Sequence, residues 1–332
     1  MKSALLILCI LLSSCTGKPE RPKVRLAVAG MGLQMWCLPI PFAQTLGFYK
    51  EEGLDVQLEN LPSAGKAIQA LAGGSVDVAG ISYSQNIEIA AEGQRVRSFF
   101  FSTKRTSLVL IISPSANARI SRAEDMKGAV LGVSSPGAAG QILATHYLKK
   151  HGVPPTAFST VGIGLGASAI AAIESGRVDA AVVLGGDHFQ LLKRNPKVRI
   201  LIDASTQEGM RESFGGDAYA TGALGAKQEW LDRNPEVARK LAKAAVRALQ
   251  WLQSHTPEEI RERLPEAMRS TDTDVDLEII RWGKAAFTAD GRMPSGAPEN
   301  LKRFLDETSE NPRSAKIELA ATWTNEYLPE PK

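Results

Sequence analysis

The sequence predicts an α/β protein made of two doubly wound α/β lobes with a two-strand hinge between them, and with C-terminal helices packed on lobe 1. Three observations carry this prediction. Strand-like apolar segments alternate with helical ones through most of the first two thirds of the chain, an order that gives parallel strands with helices on both faces. The series Ala67, Ile68, Ala70, Leu71, Gly74, Val76, Asp77 returns as Ala169, Ile170, Ala172, Ile173, Gly176, Val178, Asp179 at one offset, 169 − 67 = 102 residues, so the alternation occurs twice. Two extended segments, Ser107 to Ser113 (SLVLIIS) and Asp217 to Leu224 (DAYATGAL), fit neither repeat and read as paired crossovers.

In the first repeat, Val24 to Ala29 (VRLAVA) reads as a strand ending at Gly30, Met31, Gly32. Gly47 to Gly53 closes a helical stretch and Leu54 to Leu58 alternates as a strand. A helix then opens at Pro62, Ser63, Ala64, Gly65 and runs to Gly73, and Val76 to Ile81 is a buried strand. In the second, Ala129 to Val133 is a strand, Ser134 to Gly137 a turn, and a helix runs to Lys150. Gly164 to Ser168 opens the next helix, and Val178 to Val183 is again a strand. Beyond Lys227 only helices follow. Asn234 and Pro235 start one with an apolar face of Val237, Leu241, Ala245, Leu249 and Leu252, and Thr256 to Glu259 forms a capping box for the next. Val275 to Phe287 and Pro298 to Leu305 add two more, all expected to pack mainly on the first lobe. Trp251, Trp282 and Trp323 on this stretch read as core or half-buried, not as ligand platforms.

The 332 residues suit about two domains. Lys plus Arg is 39 against 36 for Asp plus Glu, and a net +3 spread over the chain is too small to build a nucleic-acid-binding field. Three cysteines, Cys9, Cys15 and Cys37, make neither a disulfide framework nor a zinc site; Cys37 reads as a small core residue. The apolar run Ala4 to Leu12 is too short to span a bilayer and suits the core of a secretory signal peptide. Leu12, Ser13, Ser14 and Cys15 resemble the bacterial lipobox, which implies acylation of Cys15 and anchorage at a membrane from the periplasm or cell surface. The expected organisation is a lipoprotein signal peptide at 1–14, a tether at 15–23, lobe 1 from 24–106 and 217–332, and lobe 2 at 107–216 including the crossovers.

In open parallel sheets ligands bind beyond the carboxyl ends of strands, where helix N-termini offer free N–H donors. The candidate ligand-binding residues are therefore Gly30, Met31, Trp36, Ser63, Ala64, Gly65, Ser82, Tyr83 and Ser84 in the first lobe. In the second they are Ser135, Gly137, Ala138, Gly164, Gly185, Asp187 and His188. Gly, Ser and Ala dominate these tips, which favours close approach of a solute to the backbone over acid–base chemistry. Met31, Met35, Trp36, Phe42, Tyr83, His188 and Phe189 lie on or near them and suggest a solute with a ring or alkyl body. No Lys or Arg falls on the tips, and Asp187 either holds a donor on the solute or caps a helix.

The segments PFAQTLGFYKEEGLDVQL and SAGKAIQALAGGSVDVAG resemble the first lobe of the nitrate, sulfonate and taurine type of ABC-importer solute-binding proteins. DMKGAVLGVSSPGA and AAIESGRVDAAVV resemble the second. The resemblance extends over nearly the whole chain and includes binders of thiamine-pyrimidine precursors. It implies the periplasmic binding protein type II fold, a small-molecule solute closed between lobes, delivery to a membrane permease with a separate ATPase, and neither cofactor nor metal. Against it stands Gly162, Gly164 and Ala167, a GxGxxA match with Asp187 some twenty residues on, as a dinucleotide enzyme would have it. The first lobe lacks that motif at the matching place, and no GxSxG elbow or P-loop is present. An exported two-lobe protein with no transport role, a sensor or chaperone-like lipoprotein, is the remaining alternative.

Overall fold

The computed structural model describes residues 21–29, 33–61, 64–308 and 317–330. The expected signal peptide, Cys15 and most of the tether lie outside them. In chain order the elements are β1 (Lys23–Ala29), α1 (Pro39–Thr45), α2 (Phe48–Glu51), β2 (Asp55–Leu61), α3 (Ala64–Gly73), β3 (Val78–Ile81), α4 (Tyr83–Ala91) and β4 (Val96–Thr103). Then come β5 (Leu108–Ile112), β6 (Val130–Val133), α5 (Ala139–Lys150), β7 (Ser159–Gly162), α6 (Ala167–Glu174), β8 (Ala180–Leu184), α7 (Asp187–Arg194), β9 (Arg199–Asp203) and α8 (Gln207–Phe214). The chain ends with β10 (Thr221–Lys227), α9 (Gln228–Arg233), α10 (Pro235–Ser254), α11 (Pro257–Arg263), α12 (Thr273–Lys284) and α13 (Ala297–Thr308). None of the described helices is long and apolar enough to cross a membrane.

The strands form two five-stranded sheets, ordered β2-β1-β3-β10-β4 and β7-β6-β8-β5-β9. The two orders are the same plan, since β6, β7 and β8 stand to one another as β1, β2 and β3 do. The register repeats as well: Leu26 and Ala27 face Val78 and Ala79, and Leu131 and Gly132 face Ala180 and Ala181. The two segments read as crossovers do more than cross. β5, buried at every residue, inserts antiparallel between β8 and β9, and β10 inserts antiparallel between β3 and β4, so the sheets are mixed and not wholly parallel. Each crossover thus carries a strand into the sheet of the lobe it enters. The crossings lie side by side, with the Tyr219 N–H donating to the Lys104 carbonyl at 3.0 Å.

Local chemistry explains the repeated register. The backbone of Asp77 donates to the Arg25 carbonyl at 2.9 Å, while its carboxylate accepts the Arg25 backbone N–H at 2.9 Å. Asp179 does the same with Val130, at 2.9 and 2.8 Å. A guanidinium completes each aspartate: Arg25 Nη2 lies 2.8 Å from Asp77, and Arg119 Nη2 lies 2.6 Å from Asp179. The acid in the duplicated G-x-V-D motif therefore ties the residue before one strand to the neighbouring strand.

Of the C-terminal helices, α10 presents Leu241, Ala245, Leu249 and Leu252 to the first lobe's core as expected, while Val237 stays half-buried at its edge. The Thr256 capping box forms, with the Thr256 N–H donating to Glu259 at 2.8 Å and the Glu259 N–H to Thr256 at 3.2 Å. Helix α13 departs from the expectation. Its Leu301, Phe304 and Leu305 share one apolar cluster with Tyr83 and Phe101 of the first sheet's side and Leu110 and Leu143 of the second's. The reason is aromatic: Phe304 packs edge-on to Phe214 at 4.6 Å, and Phe214 on Tyr219 at 4.4 Å, on the returning crossover. The lobes are joined by apolar core as well as by strands.

Burial pushes the Asp77 carboxyl up, but hydrogen bonds and charge from Arg25 outweigh it and hold the group below its usual range. A carboxylate depressed in the folded state stabilises fully above its unfolded value of about 3.9, and that contribution is lost as pH falls through the folded value. Asp77→Ala and Asp179→Ala should each destabilise by about 1–3 kcal/mol at neutral pH. In urea unfolding, the gap between wild type and Asp77→Ala should narrow as pH is taken below about 4.

Candidate functional site

The carboxyl ends of the parallel strands lead into helices at the same edge of each sheet. In the second lobe the tips are Ser134 to Ala138, Gly164 to Gly166 and Gly185 to Gly186, opening α5, α6 and α7. Their N-cap residues, Ala138, Gly166 and Gly186, have no side chain that could cap the first turn. Elsewhere Thr206, Thr256 and Asp272 accept first-turn N–H groups of α8, α11 and α12, while α1, α2, α9 and α10 likewise start without a side-chain cap. The uncapped termini leave donors and the positive end of the helix dipole turned to the strand tips. All three turns use glycine at positive φ, as at Gly137 (φ 79°) and Gly185 (φ 56°), a conformation that costs other residues more.

The lobes meet at these tips. The position a Gly185 Cβ would occupy is 3.5 Å from Gln34 Oε1, on the loop after β1. A Cβ on Gly186 would run into Ile279 of α12, so that glycine is what lets α7 lie against a helix of the first lobe's core. Trp282, also on α12, donates its indole N–H to Ser205 after β9 at 2.8 Å, and Lys193 of α7 reaches Asp272 at 2.7 Å. His188, Phe189 and Trp282 form one aromatic cluster, with ring centroids 3.9 Å apart for His188 and Phe189 and 5.5 Å for His188 and Trp282.

Asp187 is 9% exposed and its Oδ2 accepts the Gly166 backbone N–H at 3.1 Å. It thus holds the loop residue that precedes α6 and ties two tips together. This is also the fate of the GxGxxA spacing: its acidic residue folds back onto its own glycine loop. Burial pushes the Asp187 carboxyl above its usual range, only partly opposed by the Gly166 bond. His188 is 2% exposed, its Nδ1 lies 2.9 Å from the Gly185 carbonyl, and burial lowers its pKa although Asp203 and that carbonyl oppose the shift.

The sequence-predicted residues fall into three groups. Gly30, Met31 and Ser63 lie outside the described residues. Gly185, Asp187 and His188 gather where the lobes meet, whereas Trp36 (half-buried) sits beside the crossing strands, its carbonyl accepting from Ser102. Ser135, Gly137, Ala138 and Gly164 form the opposing second-lobe rim with Ser135, Gly137 and Gly164 exposed, while Ala64 and Gly65 begin α3 with Gly65 exposed. Tyr83 departs from its expected role: it is 0% exposed, its hydroxyl is 2.6 Å from Thr322 Oγ1 and its ring packs edge-on to Phe101. Ser84 is buried and bonds Ser82 at 3.0 Å, and Ser82 in turn receives Gln85 on its backbone N–H at 3.0 Å. Met35 and Phe42 are likewise core residues, because the loop after β1 folds onto α12 and α10. Cys37 is a buried thiol pushed up to about 12 by burial, a core residue as expected.

Three residues were missed. Gln34 was overlooked within a glycine-rich stretch, although a lone amide at a strand tip is a usable signal. Leu165, 51% exposed between two left-handed glycines, was passed over as part of a turn. Trp282 reaches the seam only through tertiary packing, and no local pattern announces it. Two open surface cavities, one beside Arg95, Arg97 and Glu318 and one between Phe48, Arg247 and Trp251, lie on the outer side of the first lobe, away from the tips. At the seam Gln34 lies against Gly185 and Ile279 against Gly186.

Two lobes of one plan, meeting at the tips of parallel strands and crossed by two antiparallel strands, define the periplasmic binding protein type II fold. The family model described as NMT1/THI5 like matches residues 36–260, and the chain belongs to that family. A structure from Bordetella bronchiseptica RB50 is similar at 31% identity and a TM-score of 0.84, covering 93% of this chain and 96% of that one. YtlA of Bacillus subtilis (strain 168), which carries a binding-protein name, is 24% identical over 315 residues, 93% of this chain and 90% of YtlA. The same fold is seen at 16% identity in the periplasmic aliphatic sulphonate binding protein SsuA of Escherichia coli (TM-score 0.66, covering 86% and 85%). It is seen at 15% in the periplasmic nitrate-binding protein NrtA of Synechocystis PCC 6803 (TM-score 0.69, covering 93% and 87%).

Replacing Gly186 with a branched side chain should force α7 off Ile279, since overpacking a tight contact costs about 1–3 kcal/mol. Gly186→Val is expected to enlarge the radius of gyration in small-angle scattering, and an unchanged radius would show that this contact does not hold the lobes together.

Proposed function

We propose that the protein is the solute-binding component of an ABC importer, capturing a small organic solute between its lobes and handing it to a membrane permease with a separate ATPase. The observation that carries this reading is that helices α5, α6 and α7 all start at the second lobe's strand tips without side-chain caps, beside a join between the lobes where Gln34 lies against Gly185 and Trp282 against His188. Such a seam binds and orients; among the described residues it brings together no nucleophile with a base. The names carried by YtlA, SsuA and NrtA support the same role. In this reading the solute bridges the two lobes and shifts an open population towards closed, and the permease recognises the closed surface. Cys15 is the proposed lipid attachment site, with residues 1–14 removed as a signal peptide and the lobes held at the membrane from the periplasm or the cell surface.

A ligand that binds only the folded, closed protein raises the melting temperature by mass action. A thermal-shift panel of alkanesulfonates, nitrate, pyrimidines, aromatic acids and flavins should give at least one stabilising class. Gly137→Asp sets a carboxylate in open space at the start of α5, with some backbone strain at φ 79°, and should abolish that stabilisation while Gly137→Asn, equally strained but uncharged, retains more of it. A panel that leaves the melting point unmoved would end the transport reading. Separately, labelled palmitate should enter the wild-type chain in cells and not Cys15→Ala.

A further inference from the structure

We propose that His188 and Trp282 form an acid-sensitive latch between the lobes, holding them closed near neutral pH and letting them part as the pH falls through the range in which an imidazole gains its proton. Such a latch acts whatever solute the seam takes. His188 belongs to α7 of the second lobe and is 2% exposed. Its ring is flanked from both sides of the join: Phe189 lies 3.9 Å away on its own helix, and Trp282 lies 5.5 Å away on α12 of the first lobe. Trp282 is also held by its indole N–H, which donates to Ser205 at 2.8 Å. Ser205, 5% exposed, in turn donates both its hydroxyl and its backbone N–H to Asp203 Oδ1. Asp203 ends β9, and the next residue, Ala204, donates to the Leu108 carbonyl at the start of β5. The latch is therefore anchored where the first crossing enters the second sheet.

A proton on His188 works against this packing. Its Nδ1 lies 2.9 Å from the Gly185 carbonyl, so one ring hydrogen is engaged there, and a second would put a full charge on a buried ring between two aromatic neighbours. Asp203 of β9 and the Gly185 carbonyl favour the charged form, but desolvation outweighs them and holds His188 below its ordinary value of about 6.5. The acids at the start of α12, Asp272 and Asp274, meet α7 at Lys193. When the lobes part, Trp282 withdraws and water reaches the imidazole. Between the lowered value of the closed form and about 6.5, the open form binds a proton that the closed form does not, so opening gains as the pH falls. Above about 6.5 both forms are neutral and His188 leaves the balance untouched. Asp187, the neighbour on the same helix, is raised by burial, and that has the opposite sign: a carboxyl raised in the closed form favours closing as the pH falls. It cannot imitate the response expected of His188.

Small-angle scattering of the purified protein without added solute, at about pH 7.5 and about pH 5.5, brackets the range in which an imidazole titrates and tests this. The wild-type radius of gyration should increase at the lower pH. Withdrawal of Trp282 from its cluster should shift the tryptophan emission to the red, a shift absent from Trp282→Phe. His188→Phe keeps a ring in the packing, His188→Asn keeps a donor for Gly185, and neither titrates. In each the radius should be the same at both pH values, and either variant decides if the other fails to fold. The chain has four histidines, so only a response lost on replacing His188 supports the latch. A wild-type radius that stays constant or shrinks in acid would overturn the inference, and so would His188 variants that expand as far as wild type. So would an expansion accompanied by loss of the near-ultraviolet circular dichroism, which marks unfolding in place of opening. The scattering result stands or falls without any ligand, so it is separate from the outcome of the thermal-shift panel.

Discussion

The hydrogen-bonded clamp made by Asp77 on Arg25, and again by Asp179 on Val130, is the constraint on which the rest of the molecule depends. A parallel pair of strands has no turn to set its register, because its connection is a long crossover through a helix. The clamp supplies the missing reference. By exchanging two bonds with the residue just before the pairing begins, each aspartate fixes β3 against β1 and β8 against β6. The far ends of those strands then fall level, and the helices that follow start at one edge. A slip of one residue would turn buried Val78 or Ala180 towards the wrong face and put the helix N-termini out of step. The site at the tips is thus set by an interaction at the opposite end of the strands.

The two lobes share this scaffold but not its finish. In the first, Ser82 and Gln85 occupy each other at the start of α4, and the loop after β1 is largely consumed in packing Met35 and Cys37 against the core. In the second, three consecutive helix starts remain without side-chain caps, and the one acidic residue among them is shared between two tips. In the proposed binding reading the duplicated halves would divide the work, the second lobe offering backbone donors at its helix starts and the first a wall that includes Gln34 and Trp282.

The scaffold was legible because it is periodic. A buried strand followed by a helix leaves a pattern along the chain, and the offset of 102 residues shows on Ala67 to Asp77 and Ala169 to Asp179 without reference to space. Glycine-rich tips were legible for the same reason. What escaped was set by tertiary contact. Tyr83 sits at a tip by sequence but turns inward to Thr322, a partner 239 residues away. Trp282 looks like the buried side of an amphipathic helix, and only the packing of α12 against α7 brings it to the seam. Ser107 to Ser113 and Asp217 to Leu224 were seen to be extended, but nothing local says that each would enter a sheet antiparallel; that follows from the sheet that each finds beside it.

The contacts joining the lobes are of two chemical kinds, and the difference decides how the lobes can move. Around the crossings, α13 packs Leu301, Phe304 and Leu305 into one cluster with both sheets, with Phe214 and Tyr219 stacked between. Separating that surface would expose several aromatic rings, each of which stabilises by about 1.5–3 kcal/mol when fully buried. Around α12 the contacts are one glycine against Ile279, one indole N–H on Ser205, the edge contacts of Trp282 with His188 and Phe189, and the Lys193 ion pair, whose partners are 46% and 41% exposed. An exposed pair of that kind is worth about 0–1 kcal/mol. A rotation that keeps the α13 cluster closed and breaks the α12 contacts is therefore the low-energy motion. It opens the edge at which Gln34, Gly185 and Asp187 meet, so the fold's weakest join coincides with its candidate binding seam.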